Sequence, residues 1–445
     1  MCIRDRSRTG FGFVKKYFEE KEENKSNHFA AYLAQKIEGS KRTTGQHPGG
    51  IIIIPKEFDV EDFTPINYPA NDLTSSWQTT HFDFHAIHDN VLKLDLLGHD
   101  DPTAIRQLQK LTKVEIKDIS FSDPKVLKLF SSTEPLGIES KDINNEPTGV
   151  LGIPEFGTKF VRRMLNVAKP TSFNDLINIS GLSHGTDVWS GNAEELIKQG
   201  KTLKEVISCR DDIMVYLMKK GINPSLSFQI MENVRKGKGL KPEEEKHLKE
   251  NGIEKWYIDS LNKIKYMFPK AHATAYVMMA WRIAWFKIYY PMEYYATFFT
   301  VRSDVFDIES SLGTKIQIEK KLKELELKNF NDKLSQKESD LFTIFEIINE
   351  MLARNITISN IDLYKSDATE WKIDYDNRSL IPPFIVLDGL GETAAKSIVE
   401  ARKEKEFTSK DNLLKRTQVN KTVLEKMEKL GIIKDLENTD QLKLF

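Results

Sequence analysis

The alternation of apolar and polar positions divides the chain into unlike stretches. Residues 11–37 carry apolar groups at helical spacing and predict two helices, separated by a charged turn at residues 20–26. A basic, glycine-rich segment, Lys41 to Gly50, then runs into four consecutive isoleucines, Ile51 to Ile54, closed by Pro55; this predicts a loop feeding a β-strand. Residues 77–90 alternate polar and aromatic groups, so an edge strand there would put His81, Asp83 and His85 on one face and Phe82 and Phe84 on the other. The run Val91 to Leu97 is apolar except for Lys93 and Asp95 and is stopped by Gly98, which suits a buried strand carrying both charged residues on one face. His99 to Pro102 then read as a loop leading into a helix.

From Pro102 to Arg302 the pattern is helical, interrupted by Gly/Ser/Pro/His loops at residues 131–137, 152–157, 181–187 and 235–239. A long helix is predicted after Pro269, its apolar surface interrupted by Lys270, His272, Arg282 and Lys287, with Tyr276 one turn after His272. Residues 303–375 read as a charged helical connector. Residues 381–402 differ: a turn ending at Asp388, then Gly389-Leu390-Gly391, then a helix from about Thr393 whose inner side holds Leu390, Ala394 and Ile398. That is the pattern of a helix-hairpin-helix, in which glycines admit a DNA phosphate and helix amides face it; a plain helical hairpin is the alternative.

Composition narrows the classes. A chain of 445 residues has room for two to four domains, and a net charge of −1 means that any nucleic-acid surface must be local. Cys2 and Cys209 are the only cysteines, which excludes a disulfide framework or a cysteine-built metal centre and fits a reducing cytoplasm. No apolar stretch is long enough to span a bilayer, so no membrane partner is expected. Met1 to Arg6 match no element and read as a non-native leader, with the natural protein expected to begin further upstream.

Three features carry candidate chemistry. A carboxylate in an apolar strand must be paired or metal-bound, which leaves Asp95 as either the partner of Lys93 or a metal-binding acid. The set His81, Asp83, His85, His88 and Asp95 contains residue types that ligate metals, against the alternative of a solvated strand face. The polar tail ends in Gln441-Leu442-Lys443-Leu444-Phe445, a pattern suited to inserting Leu442, Leu444 and Phe445 into a partner's groove, unless the tail docks on its own domain.

The motifs RTTGQHPGGIIIIP at 42–55, TTHFDFHAIHDNVLKLDLLGHDDPT at 79–103, GIPEFGTKFVRRM at 152–164, SGLSHGTDVW at 180–189, CRDDIMVYL at 209–217, ENVRKGKGL at 232–240, YMFPKAHATAYV at 266–277 and the terminal QLKLF stand in one order. In these the chain resembles the C-terminal part of the PolC-type DNA polymerase III alpha subunits, the C-family replicative polymerases of low-GC Gram-positive bacteria. The resemblance implies an α+β, mostly helical fold. Its parts would be the end of a thumb at 7–40, part of a mixed-sheet palm at 41–103, helical fingers at 104–300, a duplex-binding domain with a helix-hairpin-helix at 301–436, and a clamp-binding tail at 437–445.

It further implies that Asp95 is the third of three catalytic, metal-holding aspartates, with Lys93 near the primer end and the α-phosphate. Arg210, Lys270, His272 and Arg282 become the expected triphosphate contacts, Gly389, Leu390, Gly391 and Lys396 the DNA contacts, and Gln441, Leu442, Leu444 and Phe445 the contacts to a sliding clamp. Lys443 stands in the tail where Ser or Asp is more usual. The implied reaction is template-directed nucleotidyl transfer from a dNTP to a primer 3′-hydroxyl with two Mg²⁺ ions, on primer-template DNA, with other replisome subunits, in the cytoplasm at the nucleoid. The family's other two aspartates form an Asp-x-Asp pair upstream of the thumb. Nothing before Gly10 supplies them, so the chain is expected to be a fragment that does not polymerise alone. Two other readings stand beside this one: a module that only binds DNA and clamp, and a metallohydrolase built on the histidine set.

Overall fold

The computed structural model describes residues 2–3, 8–38, 41–43, 45–47, 49–96, 98–302 and 305–440. They form a mostly helical α+β protein in two units, residues 1–99 and 100–445, described separately below. Among the described residues no helix is long and apolar enough to cross a membrane.

In the first unit, Arg8–Glu20 and Asn27–Lys36 form the expected pair of helices, the second capped by Ser26, whose hydroxyl accepts from the Phe29 amide. Val14, Phe18, Ala30 and Ala34 close a small core between them. The four-isoleucine run supplies strand Gly50–Ile53, which pairs antiparallel with Leu92–Asp95 in the register Gly50↔Asp95 to Ile53↔Leu92. The ribbon departs from expectation in its burial. Leu92, Leu94 and Leu96 are 60%, 43% and 61% exposed, while Val91 is buried. An apolar run marks a strand with an apolar face but not what covers that face. Among the described residues the sheets between 41 and 103 are antiparallel pairs and not a mixed sheet. The predicted edge strand at 77–90 is likewise corrected: only Thr79–Thr80 is strand, and Phe84–Ile87 is a short helix, so His81, Asp83 and His85 do not line one strand face.

In the second unit, helix Lys270–Tyr289 begins after Pro269 as expected and runs through the main core. Trp281 is buried edge-on to Phe173 and stacked near Phe130, and its indole N–H donates to the Ser120 carbonyl at 2.9 Å. Residues 303–375 are more than a connector. Lys315–Asn331 and Gln336–Ala353 are long helices, and Phe342, Ile344, Phe345, Ile347, Ile348 and Met351 of the second join the core of residues 105–299. The only mixed sheet among the described residues is here: Thr357–Ile358 pairs parallel, and Lys372–Asp374 antiparallel, with Ser379–Ile381. A second core, from Ile308 to Ile433, holds the glycine hairpin.

Lys287, which interrupts the same helix surface as Lys270, His272 and Arg282, is fully buried. Its ammonium donates to the carbonyls of Gly149 at 2.8 Å and Leu151 at 2.5 Å and sits 2.7 Å from the Glu350 carboxylate, which also accepts from the Tyr295 hydroxyl at 2.7 Å. Burial pulls the Lys287 ammonium down to about 8. Four helix and loop segments are thus tied through one buried charge pair.

Candidate functional site

Three sites of the sequence reading can be built from the structure. The first is the ribbon of Gly50–Ile53 and Leu92–Asp95. Period-two alternation puts Lys93 and Asp95 on one face, and their charged groups pair at 3.0 Å, with Asp95 half exposed and Lys93 largely covered. The Lys93 ammonium also lies 5.4 Å from the centre of the Phe84 ring. Gly50 makes room for the lysine, because a Cβ there would stand 2.6 Å from Lys93 Cε and 2.8 Å from His47 Nδ1. His47 Nδ1 accepts from the Gly49 and Gly50 amides at 3.1 and 2.6 Å, which makes Nδ1 the unprotonated nitrogen. The glycine-rich loop thus turns these two amides onto its own histidine.

The histidine set does not assemble. His81 Nδ1 accepts from the Asn67 amide at 3.0 Å, and His88 faces Asp89 at 3.2 Å. The His85 side chain lies outside the described residues. Among the described residues no group of three His, Cys, Asp or Glu is placed to hold a metal.

The second site gathers five of the loop and helix-start motifs in the second unit. Asp211 accepts from the Lys270 amide at 2.6 Å, Asp212 pairs with the Lys270 ammonium at 3.0 Å, and the Arg210 amide donates to the Phe268 carbonyl at 3.1 Å. The N-termini of helices Arg210–Lys219 and Lys270–Tyr289 are stitched together in this way. Arg210 reaches toward Glu232 at 3.9 Å, and Glu232 is held bidentate by Arg235 and by Lys236 at 3.1 Å. These cations draw the Glu232 carboxyl down to about 2.

Beside them, His272 stacks on Phe268 and lies 4.5 Å from Tyr276, ring to ring, while His184 stands edge-on to His272 at 5.7 Å. His184 is held at both nitrogens: Nδ1 donates to the Ser180 carbonyl at 2.7 Å and Nε2 meets Glu155 at 2.7 Å. Glu155 reaches it from a left-handed backbone position, φ 68°, in the turn after Gly152. The Glu155 hydrogen bond raises the His184 pKa, whereas burial and the neighbouring His184 lower that of His272. Gly181 lets the His184 helix approach residues 208–209, since a Cβ there would meet Cys209 Sγ at 2.4 Å.

The structure thus brings together Arg210, Lys270 and His272, and adds Glu155 and His184. The sequence marks those two only as parts of Gly-rich loops, at residues 152–157 and 181–187, with a lone acid and a lone histidine as the signal. Arg282 is not part of the cluster. It lies twelve residues beyond Lys270 on the same helix, roughly 18 Å along the axis, and its guanidinium sits 5.3 Å over the Phe121 ring.

Raising a folded-state pKa stabilises the protein while the group is charged. The Glu155–His184 contribution is therefore complete below the ordinary histidine value of 6.5 and disappears as pH rises through the elevated value of His184. Replacing Glu155 with Gln is expected to lower the His184 titration midpoint, read by NMR. It should also remove the part of the chain's thermal stability that is present at about pH 5.5 and absent at about pH 8.

The third site is the glycine hairpin. Phe384–Val386 form a turn of 3-10 helix, Gly389 takes φ 88°, and Gly391 precedes helix Glu392–Glu404. Leu390, Ala395 and Ile398 pack with Val423 and Met427, Ala395 rather than the expected Ala394 being the buried alanine, so the hairpin is fixed from below while open space surrounds Gly391. Lys396 pairs with Glu392 one turn back. Lys426, not singled out from sequence, donates to the Asp388 carbonyl at 2.9 Å and pairs with its carboxylate, placing a cation beside Gly389. Gln441, Leu442, Leu444 and Phe445 lie outside the described residues.

Comparison with known proteins fits this division. The bacterial DNA polymerase III alpha NTPase domain matches residues 9–98, the bacterial DNA polymerase III alpha subunit finger domain matches 101–256, and a helix-hairpin-helix motif matches 355–442. The first two matches meet where the structural units divide. The class is that of bacterial DNA polymerase III alpha chains. Among curated relatives named DNA polymerase III PolC-type, the chain is 58% identical to that of Mycoplasmopsis pulmonis over 98% of its length, 55% to that of Listeria welshimeri over 98%, and 52% to that of Ureaplasma parvum over 97%. The chain belongs to the PolC-type DNA polymerase III family. It spans 31%, 30% and 30% of the lengths of these relatives.

Proposed function

We propose that this chain is part of a replicative DNA-directed DNA polymerase, carrying a share of the active site, the nucleotide-binding fingers and the duplex grip. The observation that supports this most is Asp95, half exposed beside Lys93 on a strand of a chain 52–58% identical to PolC-type polymerases. Asp95 acts as one carboxylate of a two-Mg²⁺ site, and Lys93 holds it in place and offers a cation for the α-phosphate. When bound, the two ions would activate the primer 3′-hydroxyl and neutralise the triphosphate. A single carboxylate does not satisfy that pair, since Mg²⁺ takes octahedral oxygen coordination and no three-ligand group stands among the described residues. The remaining acids belong to an upstream Asp-x-Asp pair outside this chain, and the chain does not polymerise alone.

Arg210, Lys270 and His272 receive the triphosphate, the carboxylate partners Glu232 and Asp212 positioning Arg210 and Lys270 until phosphate replaces them, while Asp211 holds the Lys270 backbone amide. Arg282 packs on Phe121 and supports the long helix. The hairpin at Gly389, Leu390 and Gly391, with Lys396 and Lys426, holds duplex by its backbone, and Gln441, Leu442, Leu444 and Phe445 dock on the sliding clamp. The thumb end at 7–40, the palm part at 41–103 and the duplex-binding domain through 436 complete this assignment. It operates on primer-template DNA and dNTPs with other replisome subunits, in the cytoplasm.

In the longer polymerase, Lys270→Ala is expected to lower kcat/KM for single-nucleotide incorporation by about 10²-fold, mostly through KM; unchanged kinetics would remove the fingers assignment. Gly391→Val, which meets open space, is expected to leave the fold intact and weaken duplex binding by about tenfold in fluorescence anisotropy. Parental affinity would show that the hairpin is structural only. A module that only binds DNA and clamp is the second reading, favoured by the intact hairpin core; loss of the Gly391→Val effect on duplex binding would count against both.

A further inference from the structure

A cavity of about 420 Å³ opens in the second unit between helix Lys159–Ala168, the turn at residues 143–147 and the helices Lys315–Asn331 and Gln336–Ala353. It shares no lining residue with the Arg210–Lys270–His272 cluster. One face of the Lys159–Ala168 helix supplies Lys159, Arg162, Arg163 and Asn166, spaced three to four residues apart. Arg162 is buried and forked between Glu146 and Glu346, at 2.9 Å to each, and its Nε has no hydrogen-bond partner. Across the cavity Asn349 is only 2% exposed, and its Oδ1 also has no partner.

Two buried polar atoms, one donor and one acceptor, are thus unsatisfied in the lining of one cavity. Each costs on the order of 1–3 kcal/mol when left so, and native proteins fill such positions with water or ligand. At the mouth, Arg163 and Asn166 are exposed and make no ion pair or hydrogen bond among the described residues, and Lys159 stands 3.8 Å over the Phe342 ring. Glu146, Glu326 and Glu346 also line the cavity, and Arg162 pairs with the first and the last of them; burial pushes the Glu346 carboxyl above its ordinary value while Arg162 opposes that shift.

We propose that this cavity is a binding site for a nucleoside diphosphate, separate from the polymerase's own triphosphate site. The phosphates meet Lys159, Arg163 and the Asn166 amide at the mouth, and the base presents an N–H to Asn349 and an acceptor to the Arg162 side. The volume lies within the range of small-ligand sites. Asn349 adjoins Glu350, the acid that holds Lys287, so an occupied cavity stiffens the segment that anchors the Gly149–Leu151 turn.

The test is isothermal titration of the 445-residue chain with ADP and with GDP, with adenosine and inorganic phosphate as separate arms. Saturable one-to-one binding is expected for a diphosphate, weakened at least about tenfold by Arg163→Glu and by Asn166→Ala and unaltered by Lys270→Ala. Arg163→Glu should leave the unfolding temperature of the nucleotide-free chain unchanged. Two results would overturn the proposal: no saturable heat at millimolar nucleotide, which makes the cavity a water-filled gap, or binding abolished by Lys270→Ala but indifferent to Arg163→Glu, which places the nucleotide in the fingers.

Discussion

Asp95→Asn is expected to abolish primer extension in the longer polymerase, lowering the incorporation rate by about 10³-fold or more while leaving duplex affinity at the parental level. Asn keeps the size and shape of the aspartate, and the strand is paired through its backbone to Gly50–Ile53, so the ribbon survives the change. What is lost is one negative charge beside Lys93. If that charge serves only the 3.0 Å pair, its removal costs what a half-exposed ion pair is worth, roughly 0–1 kcal/mol, and extension continues. The two roles are therefore separated by orders of magnitude in rate, measured by single-turnover incorporation.

Lys287→Met is expected to destabilise the second unit by about 3–5 kcal/mol, read by denaturant unfolding of the chain. The replacement keeps the length of the side chain but strands the Glu350 carboxylate in a fully buried site and removes donors from the Gly149 and Leu151 carbonyls. Replacing Glu350 with Met as well is expected to cost less than the sum of the two single changes, because an apolar pair leaves no uncompensated charge. The pH dependence has a definite sign. The folded pKa of about 8 lies below the ordinary 10.5, so the unfolded chain binds more protons between them. The advantage of the parent over Lys287→Met therefore grows as pH rises from about 8 to about 10.5.

The features legible in the sequence were those fixed by local geometry. Period-two spacing placed Lys93 and Asp95 on one face, Pro269 marked the start of the long helix, and Gly389 with Gly391 marked a hairpin whose left-handed turn is made by Gly389. Features set by tertiary partners were not legible. The run at Val91 to Leu97 has the apolarity of a buried strand, yet Leu92, Leu94 and Leu96 are exposed, because apolarity does not say whether a partner layer exists. Alternation at 77–90 resembled a strand, but the Phe84–Ile87 turn is helical, and a short stretch satisfies both periods. Lys287 and Lys270 look alike in sequence on one helix; only the carboxylate opposite each distinguishes a buried tie from a half-exposed cation. Glu155 and His184, twenty-nine positions apart, meet through a fold that no local pattern encodes.

The most direct test of Asp95 as a metal-binding acid is metal rescue of Asp95→Cys in the longer polymerase. A thiolate binds Mg²⁺ poorly and softer divalent ions well. The expected result is primer extension lost with Mg²⁺ and restored in large part by Mn²⁺ or Cd²⁺, while the parent shows no such preference. Full extension by Asp95→Cys in Mg²⁺ alone would contradict the account and leave Asp95 as the structural partner of Lys93.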